Sequence, residues 1–341
     1  MFKVAQILAS VGGFGGLEKH TKDLVEGLKE NNVDVTLIID KSLESKFQIN
    51  KSVDIKTFDF SRNRYNPFAL FQLYKMIKKE QFDIVHTQGN KATAMIKQIY
   101  PYCDFKFVAT LHNEKKSISM FSSCDHVITP SDRIAEGIKK HTTIYHGIDV
   151  QYDSSFNLFE FLDLPIDSFI VSGIGRFVEA KNFQVLIRSF ELLPKNFHLV
   201  LVGGGKLEGE YREIIKEKKI TNVHLLPYME YKKTMKIIKD SSLIVIPSLR
   251  EGFSYVFAET LLLQKPLLAT DVADISKFIP KKYLVKPLEQ KIARKIIDVA
   301  SNYEITMQDY QKSFKKAKRE FSKDTMIEKT INVYTKVLSK G

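Results

Sequence analysis

Only two cysteines, Cys103 and Cys124, occur in 341 residues. They are too few and too isolated for a disulfide framework or a zinc site. No apolar run approaches the roughly 20 residues needed to cross a bilayer, so no transmembrane helix is expected. The N-terminus, Met1-Phe2-Lys3-Val4, runs directly into a strand pattern and lacks the basic, apolar and small-residue regions of a signal peptide. Low-complexity tracts are absent as well. Together these absences predict a globular, cytoplasmic chain with reduced thiols.

The residues that are present suit two domains of ordinary size, each able to bury a core, with 44% hydrophobic and 27% charged residues. The formal charge is +12, and it is unevenly placed. Residues 281–341 hold 15 Lys or Arg against 7 Asp or Glu. A basic surface suits nucleic acid, anionic lipid or an anionic acceptor. Nucleic acid is disfavoured, because the basic tail lacks the aromatic interleaving and the recognisable folds of such binders. The cluster Lys312, Lys315, Lys316, Lys318, Arg319 and Lys323 is expected to face solvent or the headgroups of the inner-membrane surface.

Apolar runs of four to eight residues alternate with helical periodicity along nearly the whole chain. That rhythm predicts an α/β protein with parallel sheets wound by crossover helices. In the first half the strands are expected at residues 3–10, 33–39, 53–60, 82–88, 106–111, 125–129 and 142–145. The helices are expected at residues 17–30, 67–79 and 90–99. The pattern lapses between Asp149 and Asp167, which reads as a linker. It resumes with strands at residues 169–174, 197–202, 223–227, 243–246 and 266–269. Helices are expected at the end, over residues 289–302, 309–320 and 325–338.

Ligands in such sheets meet the carboxyl ends of the strands, where this chain carries distinctive polar residues. Four glycines in Val11-Gly12-Gly13-Phe14-Gly15-Gly16 open the first helix and allow close backbone approach to a ligand. His86, His112 and His146 each follow a strand. Arg176 and Lys181 leave one strand end five residues apart, close enough to converge on one diphosphate. After the strand at residues 243–246, Ser254 is placed to cap a helix. The amides of Tyr255, Val256 and Phe257 would then face an anion. Glu251 and Glu259 flank that seat. Carboxylates repel phosphate, so their expected task is to hydrogen-bond hydroxyls.

The stretch from Glu251 to Glu259 resembles the Glu-x7-Glu signature of retaining GT-B glycosyltransferases, specifically family 4, which serves bacterial lipopolysaccharide, capsule and lipid-linked glycan synthesis. Gly15-Gly16-Leu17-Glu18 resembles that family's Gly-Gly-x-Glu turn, and Gly175-Arg176 through Lys181-Asn182 resembles its Gly-Arg-x4-Lys-Asn pattern. Gly203-Gly204-Gly205 is similar to its Val-Gly-x-Gly turn. His146-Gly147-Ile148-Asp149 resembles the hinge turn Asn-Gly-x-Asp, with His in place of Asn.

The resemblance implies two Rossmann-like domains facing a cleft. Residues 1–149 would form an acceptor domain and 150–320 a nucleotide-sugar domain, with a final helix at 321–341 returning to the first. It also implies roles. Glu251 would meet the donor sugar, Glu259 the ribose, and the amides from Phe253 to Val256 the diphosphate. Gly15 and Gly16 would face the donor phosphate or the acceptor, and Gly204 would lie under the nucleotide. His112 would contact the transferred sugar, while Arg176 and Lys181 would stabilise the departing phosphate. The donor would be a UDP-sugar. No metal is expected, since Asp-x-Asp, the metal-diphosphate ligand set of the other large transferase fold, is missing. One departure stands out. Thr270-Asp271-Val272-Ala273-Asp274 occupies a loop where the family usually has two glycines and an acid.

Two other readings stay open at this level. One is a non-catalytic GT-B subunit that binds a membrane or partner enzyme. The other is a nicotinamide-dependent oxidoreductase, with the glycine turn as its dinucleotide loop and Asp40 as its ribose-binding acid.

Overall fold

The computed structural model describes residues 2–13, 15–49, 53–115 and 117–339, so Met1 and Phe14 lie outside the described residues. The chain divides into two compact units, Met1–Gly147 with Glu320–Gly341, and Ile148–Arg319.

In the first unit the strands are β1 Lys3–Leu8, β2 Asp34–Asp40, β3 Asp54–Phe58, β4 Ile84–Gln88, β5 Lys106–Thr110, β6 His126–Thr129 and β7 His141–Thr143. They form one sheet in the order β3-β2-β1-β4-β5-β6-β7, parallel throughout. Both faces are covered, which is why the strands read as continuous apolar runs. Ala5, Ile7 and Val85 point to one face, which α2 (Pro67–Glu80) and α3 (Asn90–Ile99) cover through Leu73, Ile77 and Met95. Val4, Leu8 and Ile84 point to the other, packed against α1 (Gly16–Glu30). The connections around β6 depart from the expected crossover helices. Ser119–Ser123 and Arg133–Ala135 are short 3-10 segments, and between Pro130 and Gly137 no run is long enough for a stable helix.

The second unit opens with α4 (Leu158–Phe161) and then alternates β8 Phe169–Ile174, α5 Phe183–Ser189, β9 Phe197–Val202, α6 Glu208–Glu217, β10 Val223–Leu226, α7 Tyr231–Asp240, β11 Leu243–Ile246, α8 Tyr255–Leu262 and β12 Leu267–Ala269. Its five parallel strands run in the order β10-β9-β8-β11-β12. Helices α9 (Glu289–Ser301) and α10 (Tyr303–Glu320) follow, and α10 begins six residues before the expected start. Residues 149–167 are not a free linker. Leu158 is fully buried among Ile170, Val200 and Ile237, so the apolar patch before Pro165 closes this unit's core.

The last helix, α11 (Lys323–Leu338), packs on the first unit. Met326, Ile327, Val333 and Tyr334 fill the same core face as α1. Lys323, expected to face solvent or headgroups, instead pairs with Asp23 at 2.8 Å. Lys316 donates to the Lys277 carbonyl at 2.7 Å.

Tyr334 ends a polar seam through this apolar layer. Gln6 Nε2 donates to its hydroxyl at 2.7 Å. The hydroxyl's own proton is directed to His86 Nδ1, also at 2.7 Å, which leaves His86 Nε2 to donate to Thr110 Oγ1 at 2.7 Å. Every member is buried. Tyr334→Phe removes two buried hydrogen bonds, leaving Gln6 Nε2 and His86 Nδ1 only their own 3.1 Å contact, and is expected to lower stability by about 1–3 kcal/mol in urea unfolding. Desolvation, with the charge of His20 second, pushes the His86 pKa down from 6.5 to about 3. The unfolded chain therefore binds a proton below about pH 6.5 that the folded chain refuses, so this stability is present above pH 6.5 and is lost as pH falls toward 3. The slope of unfolding free energy between pH 6 and 4 should be flatter in His86→Gln than in the parent by about 1.4 kcal/mol per pH unit. Equal slopes would remove His86 as the acid-sensitive group.

Candidate active site

The chemistry-bearing residues of the second unit lie at the carboxyl ends of β8, β9 and β11. After β8 the chain turns through Gly175-Arg176-Phe177, and after β9 it passes through Gly203-Gly204-Gly205. The two loops interlock. A Cβ on Gly203 would sit 1.9 Å from the Gly175 oxygen and one on Gly205 2.6 Å from that of Phe177, with φ of +156° and +153°. Only glycine fits there. The Gly204 carbonyl accepts from the Phe177 amide at 2.8 Å and from the Tyr228 hydroxyl at 3.0 Å, so Gly204 braces the turn that carries Arg176.

A second set of bonds joins the β8 loop to the β11 loop. The Leu249 amide donates to the Ala180 carbonyl at 2.8 Å, and Asn182 Nδ2 to the Pro247 carbonyl at 3.3 Å. Thr270, after β12, donates its hydroxyl to the Ser248 carbonyl at 2.5 Å. Held this way, Lys181 Nζ meets Glu251 Oε1 at 2.5 Å, and Ser248 Oγ donates to the same oxygen at 2.8 Å. The two side chains are 19% and 9% exposed. A charged group arriving here meets an ammonium already fixed in place by a carboxylate. The Arg176 side chain is exposed and has no partner among the described residues.

Helix α8 starts immediately beyond. Ser254 is its N-cap, with Oγ accepting from the Phe257 amide at 3.4 Å. The cap occupies one of the three amides expected to face a ligand. Those of Tyr255 and Val256 precede the helix's i→i−4 ladder. The Phe253 and Tyr255 rings meet edge to face, 5.3 Å apart. Glu259, one turn further on, is buried rather than solvated. In the divergent loop after β12, Ala273 and Asp274 take φ of 47° and 60°, the left-handed region that favours glycine. This loop borders a cavity of about 370 Å³ lined by Ser248, Leu249, Asp271 and Lys286, among others.

In the first unit, Gly15 and Gly16 begin α1, and Glu18 Oε2 accepts from the Gly15 amide at 2.8 Å, making its carboxylate a helix cap. Behind this turn three imidazoles gather. The His20 ring centroid lies 5.1 Å from that of His112 and 4.2 Å from that of His146, and the last two are stacked. The sequence marks His20 only by its place one helical turn after Gly16. His86 belongs to the seam described above and not to this group.

His112 Nε2 donates to Gln88 Oε1 at 2.8 Å, and Gln88 is oriented by its own Nε2, which donates to Gln6 Oε1 at 3.0 Å. The His112 lone pair is therefore on Nδ1. Desolvation pushes the His20 pKa down to about 3 and those of His112 and His146 well below 6.5, with the charge of His20 the next cause for both. All three are neutral at neutral pH. Their ligand atoms lie within 4.8 Å of one another, a grouping of the kind that can hold a metal ion. However, His20 Nδ1 and His146 Nδ1 are 2.5 Å apart. Two nitrogens about 2.1 Å from one tetrahedral metal would be separated by roughly 3.4 Å. The contact is that of a hydrogen-bonded pair.

Asp40, the candidate ribose acid of the oxidoreductase reading, is engaged elsewhere. Its carboxylate accepts from the Ser42 amide at 2.9 Å, the Ser42 hydroxyl at 2.6 Å and the Phe60 amide at 2.7 Å.

Comparison with known proteins bears on the family and the fold. Residues 14–152 match the model of glycosyltransferase family 4, and residues 155–321 match that of glycosyl transferases group 1. An uncharacterized glycosyltransferase of Methanocaldococcus jannaschii is 24% identical, over 95% of this chain and 94% of its own. The O-antigen chain mannosyltransferase C of Escherichia coli is 22% identical, over 87% of this chain and 79% of its own. The crystal structure of Anabaena HepE in complex with UDP and glucose superposes with a TM-score of 0.81 at 16% identity, covering 98% of this chain and all of that one. No helix among the described residues is long and apolar enough to cross a membrane. With its two parallel α/β units and both family models matched in order, the chain belongs to the GT-B glycosyltransferases of group 1.

Proposed function

We propose that the chain moves a hexosyl or N-acetylhexosaminyl group from a UDP-sugar to a glycan or lipid-linked acceptor in bacterial cell-surface polysaccharide synthesis, retaining the anomeric configuration. The observation that carries this reading is the Lys181–Glu251 pair, held at 2.5 Å beside the N-terminus of α8. A cation, a carboxylate and first-turn amides at one strand end match the three chemistries of a nucleotide sugar: its pyrophosphate, its hydroxyls, and the charge that grows as the glycosidic bond breaks. The UDP and glucose bound to Anabaena HepE, a chain of the same fold, support this donor class. The O-antigen relative supports a surface-glycan acceptor.

In this mechanism the acceptor hydroxyl attacks on the face that the nucleotide leaves. The bond from the anomeric carbon to the phosphate oxygen breaks, and that oxygen takes the hydroxyl's proton, so no protein side chain need be a strong base. Arg176 and Lys181 stabilise the leaving diphosphate more as its charge grows, which is differential binding of the transition state. Glu251 hydrogen-bonds the sugar and Glu259 the ribose, while Gly15, Gly16 and neutral His112 serve from the first unit. The two cations and the helix amides do the work that a metal does elsewhere. A lipid-linked acceptor would place the protein at the periphery of the cytoplasmic membrane face, and we extend the proposal to that location.

Lys181→Ala and Arg176→Ala should each cut turnover by at least about 30-fold, on the order of 2 kcal/mol of barrier, with the circular dichroism spectrum unchanged. Full turnover in Lys181→Ala would refute the phosphate assignment. Proton NMR of the product should show the donor's anomeric configuration, and an inverted product removes the retaining mechanism. Prolonged dialysis against EDTA should leave the rate intact. A rate restored only by added Mg²⁺ contradicts the metal-free reading.

A further inference from the structure

The outward face of α2 carries side chains that a water-facing helix ordinarily lacks. Phe68 and Phe71, one turn apart, are 55% and 52% exposed; Tyr65 just before them is 66% exposed, and Tyr102, beyond the end of α3, 73%. Single exposed apolar residues are ordinary, but a contiguous aromatic patch marks an interaction surface. The inward face of the helix, Ala69, Leu73 and Ile77, already supplies the core.

The patch is also cationic. Between Asp59 and Glu80 the sequence has five Arg or Lys and no acid. The cations lie over the rings. Arg62 is 5.4 Å from the Phe68 centroid, Arg64 6.0 Å from Tyr65, Lys75 4.5 Å from Phe71 and Lys78 5.4 Å from Tyr74. Beneath them, α2 and the end of α3 enclose a largely apolar cleft of about 450 Å³ lined by Pro67, Leu70, Phe71, Tyr74, Ile99 and Tyr102, among others.

We propose that this face of the first unit docks on an anionic phospholipid surface. The aromatic rings enter the boundary between headgroups and acyl chains, and Arg62, Arg64, Lys75, Lys78 and Lys79 meet the lipid phosphates. Lysine is depleted in protein–protein interfaces, so this mixture of rings and lysines favours lipid over a protein partner. The basic tail is the weaker candidate. Lys323 and Lys316 are held within the fold, and α10 presents no exposed aromatic side chain among the described residues.

The inference rests on the peripheral location proposed above. Its test uses no sugar donor, so failed docking and failed transfer are separate results. Full-length protein is sedimented with vesicles of phosphatidylglycerol mixed with phosphatidylcholine, and with phosphatidylcholine alone. Binding should require the anionic lipid and weaken with added salt. Phe68→Ser/Phe71→Ser should lower the partition coefficient roughly tenfold, and Lys312→Ser/Lys315→Ser/Lys318→Ser should leave it unchanged. Because the chain has no tryptophan, Phe68→Trp adds a single reporter. Its emission should shift to the blue on anionic vesicles, whereas that of Phe161→Trp, an exposed site on the second unit, should not. Equal partition of the phenylalanine double variant would overturn the proposal. So would loss of binding in the tail variant alone, or a dimer formed through α2 without vesicle binding.

Discussion

The contact on which the second unit's chemistry depends is the ion pair between Lys181 and Glu251, largely sheltered from water and 2.5 Å long. A lysine on a loop would ordinarily sample many rotamers and cost about 2 kcal/mol of side-chain entropy to immobilise. Here that ordering is done before any ligand arrives. Strands β8 and β11 are neighbours, the Leu249 and Asn182 hydrogen bonds tie their loops together, and Ser248 fixes the carboxylate from the other side. The pair is therefore a consequence of strand order. Separate β8 from β11 in the sheet and the same residues would never meet.

The first unit solves a related problem with neutral groups. Its candidate site histidine, His112, is fixed through an amide relay, Gln6 to Gln88 to His112, whose first member also bonds Tyr334 on the terminal helix. Every partner is neutral and buried, so the cost of desolvating a charge is avoided. The same burial keeps His20 and His146 uncharged beside it. Between them the units offer two kinds of order, a fixed charge pair in one and a fixed tautomer in the other.

Much of this was legible in the residue order. Parallel strands covered on both faces must be apolar throughout, so the repeating runs announced the sheets and most of the helices between them. The Glu251, Ser254 and Glu259 group was legible too, because its members lie on one strand-to-helix turn, where spacing alone decides geometry. Helix boundaries were less so. Helix α7 was not anticipated, since its many lysines mask the apolar stripe of Met235, Ile237 and Ile238. Residues 149–167 looked like a linker because their few apolar side chains find partners only in distant strands.

Local sequence determined the strand and helix order, the glycine turns and the capped helix of the candidate site, since each depends on neighbours a few residues away. Tertiary structure alone decided which distant residues share space. Lys181 and Glu251 are 70 positions apart, His20 and His146 126, and Gln6 and Tyr334 328. No periodicity encodes such distances; they follow from strand order and from the return of α11. The same holds for the aromatic face of α2, since only the packing shows that Leu73 and Ile77 turn inward while Phe68 and Phe71 stay exposed.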